Sequence, residues 1–211
     1  MQRKYFRVAG LAALVGLSAL AFRPRAEQAT ALFAGGCFWS MQKAFDEVPG
    51  VVRTTVGFAG GTTAKQVSYQ EVSGGGTGYA ETVKVEYDPS RIGYDSLLQV
   101  YWHHIDPLTE NRAFCDTGPQ YRSIIFYRDA AQQRAAEASK QAVNDSHRFK
   151  SPIVTVIQPA TRFYPAEEYH QQFYKKNPER YQAYVIGCGR NERIKELWGD
   201  QEKSKAMSRK S

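Results

Sequence analysis

The sequence predicts an α+β fold in which helices cover one face of a mainly antiparallel sheet. Its 211 residues suit one domain with a substantial core. Apolar runs with a period of two alternate with runs at intervals of three and four, and the first six elements follow the order β-α-β-β-α-β. That order is typical of the two-layer ferredoxin-like (split βαβ) plait. Around it we expect glycine-rich loops and a long, mostly coiled C-terminal segment.

The first elements lie on either side of Gly35-Gly36. Residues 30–34 form an apolar strand-like run, and the two glycines allow a tight reversal. A helix follows, because four apolar residues recur at intervals of three and four: Phe38, Met41, Phe45 and Val48. Residues 51–58 are rich in β-branched side chains and predict a second strand.

The third strand is predicted over residues 81–87, where one face carries Glu81, Val83, Val85 and Tyr87. Between the second and third strands, glycines near 57–61 and 74–78 bracket a loop-like segment that holds Tyr69. A helix over 94–105, a strand over 121–127, a polar helix over 129–143 and a strand over 153–158 follow. The remainder is predicted as loop, with a helical patch near 167–174.

The two ends of the chain differ from the body in charge. Residues 1–27 carry three basic residues before an apolar run over 8–22, which is typical of an export signal and too short for a comfortable transmembrane helix. Ala19 and Ala21 offer a cleavage site, Ala26 marks a second, and an uncleaved signal anchor is the alternative. Residues 201–211 form a basic polar tail that we expect to be disordered.

The formal net charge of +7 lies in these two ends, since residues 1–27 contribute +4 and residues 201–211 contribute +3. The body over 28–200, which we take as the catalytic domain, is formally neutral. A nucleic-acid-binding protein would place its excess of basic residues on the folded face. We therefore expect no nucleic-acid partner.

The three cysteines are far apart in sequence: Cys37, Cys115 and Cys188. They form no C-x-x-C pair, which argues against a zinc knuckle or a thioredoxin-type motif. An odd number in an exported protein leaves at least one thiol unpaired within the chain. The pattern favours reactive chemistry over a disulfide scaffold.

Cys37 is the first candidate catalytic residue, at or just before the predicted helix N-terminus. Exposed amides and the helix dipole there would favour a thiolate, and Phe38 and Trp39 would supply an apolar pocket. A buried structural cysteine is the alternative. Glu81 is the second candidate, because a carboxyl on the apolar face of a strand is either at a strand end in water or desolvated and able to act as an acid.

Metal binding is not expected. His103-His104, Glu167-Glu168 and His170 show no recognised ligand spacing, and adjacent histidines on a helix point in different directions.

Several separate motifs then resemble one family, the peptide-methionine (S)-S-oxide reductases, or A-type methionine sulfoxide reductases. They extend over roughly 31–198 in the correct order. They are Gly35-Gly36-Cys37-Phe38-Trp39, Tyr69 with Glu71-Val72, Gly78-Tyr79-Ala80-Glu81, Tyr87-Asp88-Pro89, Gln120-Tyr121-Arg122-Ser123 and Ala166-Glu167-Glu168-Tyr169-His170-Gln171.

The resemblance implies a role for each matching residue. Cys37 attacks the sulfoxide sulfur, Glu81 protonates its oxygen, and the oxygen receives hydrogen bonds from Tyr69 and Tyr121. The substrate methyl group lies in a pocket made by Phe38 and Trp39, and Asp116 helps to hold the substrate backbone. The product on the enzyme is a Cys37 sulfenic acid. Its substrates are oxidised proteins or peptides and free methionine sulfoxide.

The resemblance also implies a second thiol that resolves the sulfenic acid, and a thioredoxin-like protein that reduces the resulting disulfide without a bound cofactor. Cys188, flanked by glycines, resembles the resolving cysteine, and Cys115 is the rival because it precedes Asp116. From these features we expect a monomer that repairs oxidised methionine in exported proteins. It is periplasmic or secreted, and membrane-bound only if the N-terminal segment stays attached.

Two other classes of function remain open from the residues alone. A cysteine hydrolase needs a histidine base, and His170 is a candidate although it lies in no hydrolase motif. The other class is a non-catalytic module whose aromatic pocket binds methionine-containing peptides. Replacing Cys37 by serine separates an enzyme from such a module, because only the enzyme loses turnover.

Overall fold

A computed structural model of the chain describes residues 28–62 and 65–199. The predicted export segment over 1–27 and the basic tail over 201–211 lie outside these described residues. Among the described residues, no helix is both long enough and apolar enough to cross a membrane.

The described residues contain eight strands, arranged in two sheets. They are β1 (Ala29–Ala34), β2 (Val51–Ala59), β3 (Ala80–Tyr87), β4 (Arg112–Ala113), β5 (Asp116–Thr117), β6 (Ile124–Tyr127), β7 (Val156–Pro159) and β8 (Tyr164–Pro165). The main sheet has six strands in the order β7-β6-β1-β3-β2-β8, and β4 pairs with β5 in a separate ribbon.

Within the part of the chain that the structure describes, seven helices connect or cover the strands. They are α1 (Phe38–Asp46), α2 (Tyr69–Ser73), α3 (Tyr94–Trp102), α4 (Ala130–Asp145), α5 (Phe173–Lys176), α6 (Pro178–Gly187) and α7 (Arg190–Trp198). Two single 3₁₀ turns, Pro119–Tyr121 and Glu168–His170, lie between them.

The predicted plait is confirmed by the strand order. The four strands of the β-α-β-β-α-β unit are β1, β2, β3 and β6, and they lie in the order β6-β1-β3-β2 with every neighbour antiparallel. β7 adds to this unit parallel to β6, by way of α4. Such a parallel extension needs a crossover helix, since a tight turn cannot reverse the chain twice.

The core lies between the sheet and its helices. Phe33 of β1 stacks on Phe45 of α1 and on Tyr101 of α3, with both pairs of ring centroids 5.1 Å apart. Val83 and Val85 of β3 are fully buried in the same cluster. A smaller apolar cluster on the other face includes Leu32, Ala34, Ile124 and Phe126 and is covered by Ala160 and Phe163.

Two local predictions were wrong. The segment around Tyr69 was expected to be a loop, but a capping box between Ser68 and Glu71 begins the short helix α2 there. The strand expected over 121–127 begins only at Ile124, because Pro119–Tyr121 forms a 3₁₀ turn. Pro119 cannot donate to a ladder and starts this turn instead.

The C-terminal segment is mostly helical, so the prediction of a mostly coiled segment was wrong. Pro178 stands in the first turn of α6, a position where its missing amide costs nothing. Gly189 then takes a left-handed conformation, with φ of 59°, which separates α6 from α7. Both helices are anchored by one buried face, with Tyr181 and Val185 in α6 and Leu197 in α7.

Candidate active site

Cys37 occupies the N-cap position of α1, as the sequence predicted. The preceding Gly36 has φ of 87°, and a Cβ atom on it would lie 2.5 Å from Cβ of Ala113. Only glycine fits where the turn after β1 presses against β4. The Cys37 thiol is free and its side chain is 6% exposed.

Glu81 lies beside this thiol, on the helix-covered face of β3, and is 3% exposed. Its Oε2 accepts a hydrogen bond of 2.8 Å from the backbone amide of Phe38. Burial raises the pKa of Glu81 to about 8, against the lowering effect of that amide, and the charge of Asp116 raises the pKa further. The carboxyl is therefore protonated at neutral pH, and the alternative of a strand-end carboxylate in water is excluded.

The prediction of a thiolate at Cys37 was wrong for this resting site. Burial raises the pKa of the Cys37 thiol well above its usual range, and the charges of Glu81 and Asp116 act in the same direction. The first helix amide, that of Phe38, is donated to Glu81 and not to the sulfur. Burial thus outweighs the helix dipole, which is worth at most about 2 kcal/mol.

Tyr69 and Tyr121 reach the same site from α2 and from the 3₁₀ turn before β6. Both interact electrostatically with Cys37 and with Glu81. Burial is the largest cause that raises the pKa of each phenol, so both hydroxyls keep their protons and act as donors. The structure therefore brings together all four residues that the sequence assigned to chemistry.

Phe38 and Trp39 line the apolar side of the site. Phe38 is buried, whereas Trp39 is half-buried and stacks on Phe173 of α5 with ring centroids 3.8 Å apart. The Trp39 Nε1 donates a 3.0 Å hydrogen bond to Nδ1 of His170. Burial lowers the pKa of His170 to about 4, so the ring is neutral, and we assign its proton to Nε2 because Nδ1 accepts.

This contact gives His170 a role that the sequence reasoning missed. The imidazole orients the Trp39 indole, and its ring also packs 4.1 Å from the ring centroid of Tyr69. Its Nδ1 accepts the hydrogen bond from Trp39 and its Nε2 carries the proton, so neither ring nitrogen is free to take a proton from Cys37 as a hydrolase base would. The geometry therefore disfavours the cysteine hydrolase.

Tyr184 of α6 was also missed. Its hydroxyl donates a 2.5 Å hydrogen bond to Oδ2 of Asp116 and lies within hydrogen-bond reach of the Cys37 sulfur. Burial raises the pKa of Asp116, and the phenol partly offsets this. A signal was present in the sequence, because Tyr184 lies one helical turn before Cys188 and beside the buried Val185.

The two rival resolving cysteines are bonded to each other. A disulfide joins Cys115 to Cys188, with their Cα atoms 4.9 Å apart, and Cys37 is bonded to neither. Cys115 is exposed and Cys188 is partly buried. The identity of the thiol that resolves Cys37 thus stays a prediction.

The residues weighed as metal ligands are not assembled into a site. His103 and His104 each place Nδ1 against a backbone carbonyl one turn earlier in α3, whereas His170 lies against Trp39. Among the described residues, three ligand atoms of suitable type come together at Cys115, Asp116 and Cys188, within 4.8 Å. Two of these are the sulfurs of the disulfide.

Comparison with known proteins identifies the family of this chain. A family model described as peptide methionine sulfoxide reductase matches residues 29–202. The chain belongs to this family. The resemblance read from the sequence motifs is thereby confirmed.

Individual relatives cover most of the reductase chain. It is 47% identical over 169 residues to the peptide methionine sulfoxide reductase MsrA of Bacillus licheniformis. The aligned region covers 80% of this chain and 93% of the relative. The reduced form of Mxr1 from Saccharomyces cerevisiae superposes with a TM-score of 0.69 and 33% identity, over 77% of this chain and 92% of that one. Methionine sulfoxide reductase A of Corynebacterium diphtheriae gives 0.64 and 34%, over 74% and 77%.

The raised pKa of Glu81 makes the stability of this reductase depend on pH. The folded-state pKa of about 8 lies above the usual value of 4.5, so between these two pH values the folded chain holds a proton that the unfolded chain releases. The contribution of this proton to the free energy of unfolding is fully present below about pH 4.5 and is lost as pH rises through 8. We expect Glu81→Gln, which has no such proton, to gain in Tm relative to wild type between pH 5 and 8, with a constant difference above that range.

Glu86→Gln on the same strand is the matched control. Arg53 donates to Glu86 through Nη2 at 2.9 Å, and this pairing lowers the pKa of Glu86. The stabilisation from the ionised Glu86 is present at neutral pH and is lost as pH falls. Glu86→Gln should therefore have a lower Tm than wild type at neutral pH, and the difference should shrink in acid. Thermal unfolding of both variants from pH 4 to 9 measures this, and a pH-independent difference for Glu81→Gln would contradict the buried, protonated carboxyl.

Proposed function

We propose that this chain reduces methionine S-sulfoxide, free or in proteins, to methionine, with Cys37 as the nucleophile. The observation that carries the proposal is the free Cys37 thiol in one buried site with the protonated Glu81, in a chain that belongs to the peptide methionine sulfoxide reductase family. A protonated carboxyl and a thiol side by side suit a substrate that must accept a proton at oxygen while its neighbouring atom is attacked.

The substrate methyl group would pack against Phe38 and Trp39, the apolar side of the site. Its oxygen would then face the donors on the other side, namely Glu81, Tyr69 and Tyr121. Sulfur in a sulfoxide becomes electrophilic once its oxygen is protonated or strongly hydrogen-bonded. Donors that are already fixed and desolvated supply this stabilisation without reorganisation.

In the reductive step the substrate sulfur loses its oxygen and gains an electron pair. The Cys37 sulfur attacks the sulfoxide sulfur while Glu81 protonates the oxygen, the hydroxyl group passes to the Cys37 sulfur, and methionine leaves. The sulfoxide gains two electrons and Cys37 becomes a sulfenic acid. The proton of the Cys37 thiol restores Glu81, so the protons balance.

Regeneration would use the other two cysteines in turn. The Cys188 thiol condenses with the Cys37 sulfenic acid and releases water, and the Cys115 thiolate then attacks the Cys188 sulfur and frees Cys37. The disulfide between Cys115 and Cys188, with Cys37 free, is the state that the second of these exchange steps would produce. The exposed Cys115 is accessible to a thioredoxin-like dithiol, which would reduce the pair.

The N-terminal segment supports a place outside the cytoplasm. Three basic residues precede the apolar run over 8–22, and small residues that could mark a cleavage site lie at its end, at Ala19 and Ala21, and just beyond it at Ala26. The substrates would then be exported proteins with oxidised methionine, and the thioredoxin-like partner would act in the same compartment.

The reaction and its stereochemistry are tested with the two epimers of dabsyl-methionine sulfoxide, supplied separately to protein lacking residues 1–27. With dithiothreitol as reductant, we expect turnover of the S epimer only and none in Cys37→Ser. Glu81→Gln should retain activity lowered by about 10²–10⁴-fold, the usual contribution of a general acid. Equal turnover of both epimers, or activity without Cys37, would overturn the proposal.

The order of the thiols is tested by comparing two reductants. Dithiothreitol can reduce the Cys37 sulfenic acid directly, so Cys115→Ser and Cys188→Ser should both turn over with it. With thioredoxin, both should lose most of their activity. After one equivalent of substrate, Cys188→Ser should hold a sulfenic acid that dimedone traps, and Cys115→Ser a disulfide between Cys37 and Cys188, both read by mass spectrometry. The opposite pattern would assign the first resolving step to Cys115.

Export is tested by expressing the full chain in a Gram-negative bacterium and fractionating the cells. We expect the protein in the periplasm or in the membrane fraction, and protein lacking residues 1–27 in the cytoplasm as the control. Sequencing the mature N-terminus separates cleavage from anchoring. A chain found wholly in the cytoplasm with its N-terminus intact would exclude export.

A further inference from the structure

Arg190 is a buried cation beside the active site, and the reaction steps proposed above give its charge no role. It is the first residue of α7 and is 4% exposed. Its Nη2 donates a 2.6 Å hydrogen bond to the carbonyl of His104 and lies 3.6 Å from the Met41 sulfur. The guanidinium also lies over the ring of Phe114, 4.2 Å from its centroid. These contacts fix the position of the group.

The other end of the guanidinium faces the turn that carries Cys37. Nη1 is buried and has no hydrogen-bond partner among the residues that the structure describes. It lies 3.8 Å from the position that a Cβ on Gly36 would occupy, and Gly36 is bonded directly to Cys37. A buried charged donor without a partner is costly, and an anion that forms on Cys37 during the reaction would lower that cost.

The surroundings of Cys37 act on an anion at its sulfur in both directions: hydrogen bonds from the Tyr184 hydroxyl and the Trp39 amide favour it, whereas carboxylate charge opposes it. The groups whose charge or hydroxyl acts on the thiol come from five elements besides α7: Tyr69 of α2, Glu81 of β3, Asp116 of β5, Tyr121 of the 3₁₀ turn, and Tyr181 and Tyr184 of α6. The charge of Asp116 opposes a thiolate, and that of Glu81 does so once this carboxyl ionises. Arg190 interacts electrostatically with Cys37, Asp116 and Tyr184, and with the opposite sign.

We propose that Arg190 is an electrostatic positioning residue for the nucleophile: its guanidinium stabilises negative charge on the Cys37 sulfur and offsets the charge of Asp116. Burial lowers the pKa of the guanidinium, yet arginine stays charged in proteins at neutral pH. The proposal rests on the assignment of Cys37 as nucleophile in the proposed function. It adds the group that allows a thiol in a buried acidic site to ionise.

The test measures ionisation of Cys37 and needs no turnover. In a Cys115→Ser/Cys188→Ser background, Cys37 is the single thiol, and its rate of alkylation by iodoacetamide is followed from pH 6 to 10 by mass spectrometry. We expect Arg190→Gln, which keeps a donor for the His104 carbonyl but no charge, to shift the profile upward by about one pH unit. The rate at neutral pH would then fall about tenfold. Arg190→Lys should give an intermediate profile.

Arg193→Met is the matched control from the same helix. Arg193 donates to Asp106 at 2.9 Å, away from Cys37, so its loss should lower Tm without moving the alkylation profile. Arg190→Met replaces the glutamine variant if that does not fold, because methionine buries no polar group. An unchanged profile in the neutral Arg190 variant, with only a lower Tm, would show that Arg190 merely packs and would overturn the proposal.

The two proposals fail in different ways. If the chain does not reduce methionine sulfoxide, the dabsyl assay fails while the alkylation profiles still report on Arg190. If Arg190 is only structural, the alkylation profiles coincide while reduction of the S epimer proceeds in wild type.

Discussion

The hydrogen bond from the Phe38 amide to Glu81 is the contact on which the site depends. It joins the first turn of α1 to β3, an inner strand of the main sheet, and places a carboxyl beside the Cys37 sulfur. The next amide along the helix, that of Trp39, acts on the Cys37 sulfur and lowers the pKa of its thiol. Successive amides of one helix start thus hold the acid and support the nucleophile.

The protonation state of the site follows from that arrangement. At neutral pH the proton is on Glu81, whose pKa is raised to about 8, and burial keeps a second proton on Cys37. The acid is therefore ready before substrate arrives, whereas the nucleophile is not. Attack by Cys37 has to be coupled to loss of its proton, and a fixed cation such as Arg190 lowers the cost of that ionisation.

Sequence reasoning succeeded where one local pattern carried the information. Alternation along β3 placed Glu81 on the core face, and the glycine pair placed Cys37 at a helix start; both are confirmed. It failed where the answer depends on distant elements that meet only in the fold. The Tyr184 contact to Asp116 and the pairing of Cys115 with Cys188 join residues 68 and 73 positions apart. The protonation state of Cys37 likewise depends on burial, which spacing does not report.

The C-terminal helices restrict how Cys188 can change partners. α7 is tied to the loop after α3, because Arg193 donates to Asp106 and the Trp198 indole donates to the Ile105 carbonyl at 3.0 Å. α6 is held by Tyr181 and its aromatic neighbours. Between these anchors the chain has only the short link 187–189, in which a Cβ added to either flanking glycine would meet nothing within 4 Å. An exchange of Cys188 between Cys37 and Cys115 that leaves both helices in place must therefore be confined to this link, because the anchors on either side would have to break for a larger movement.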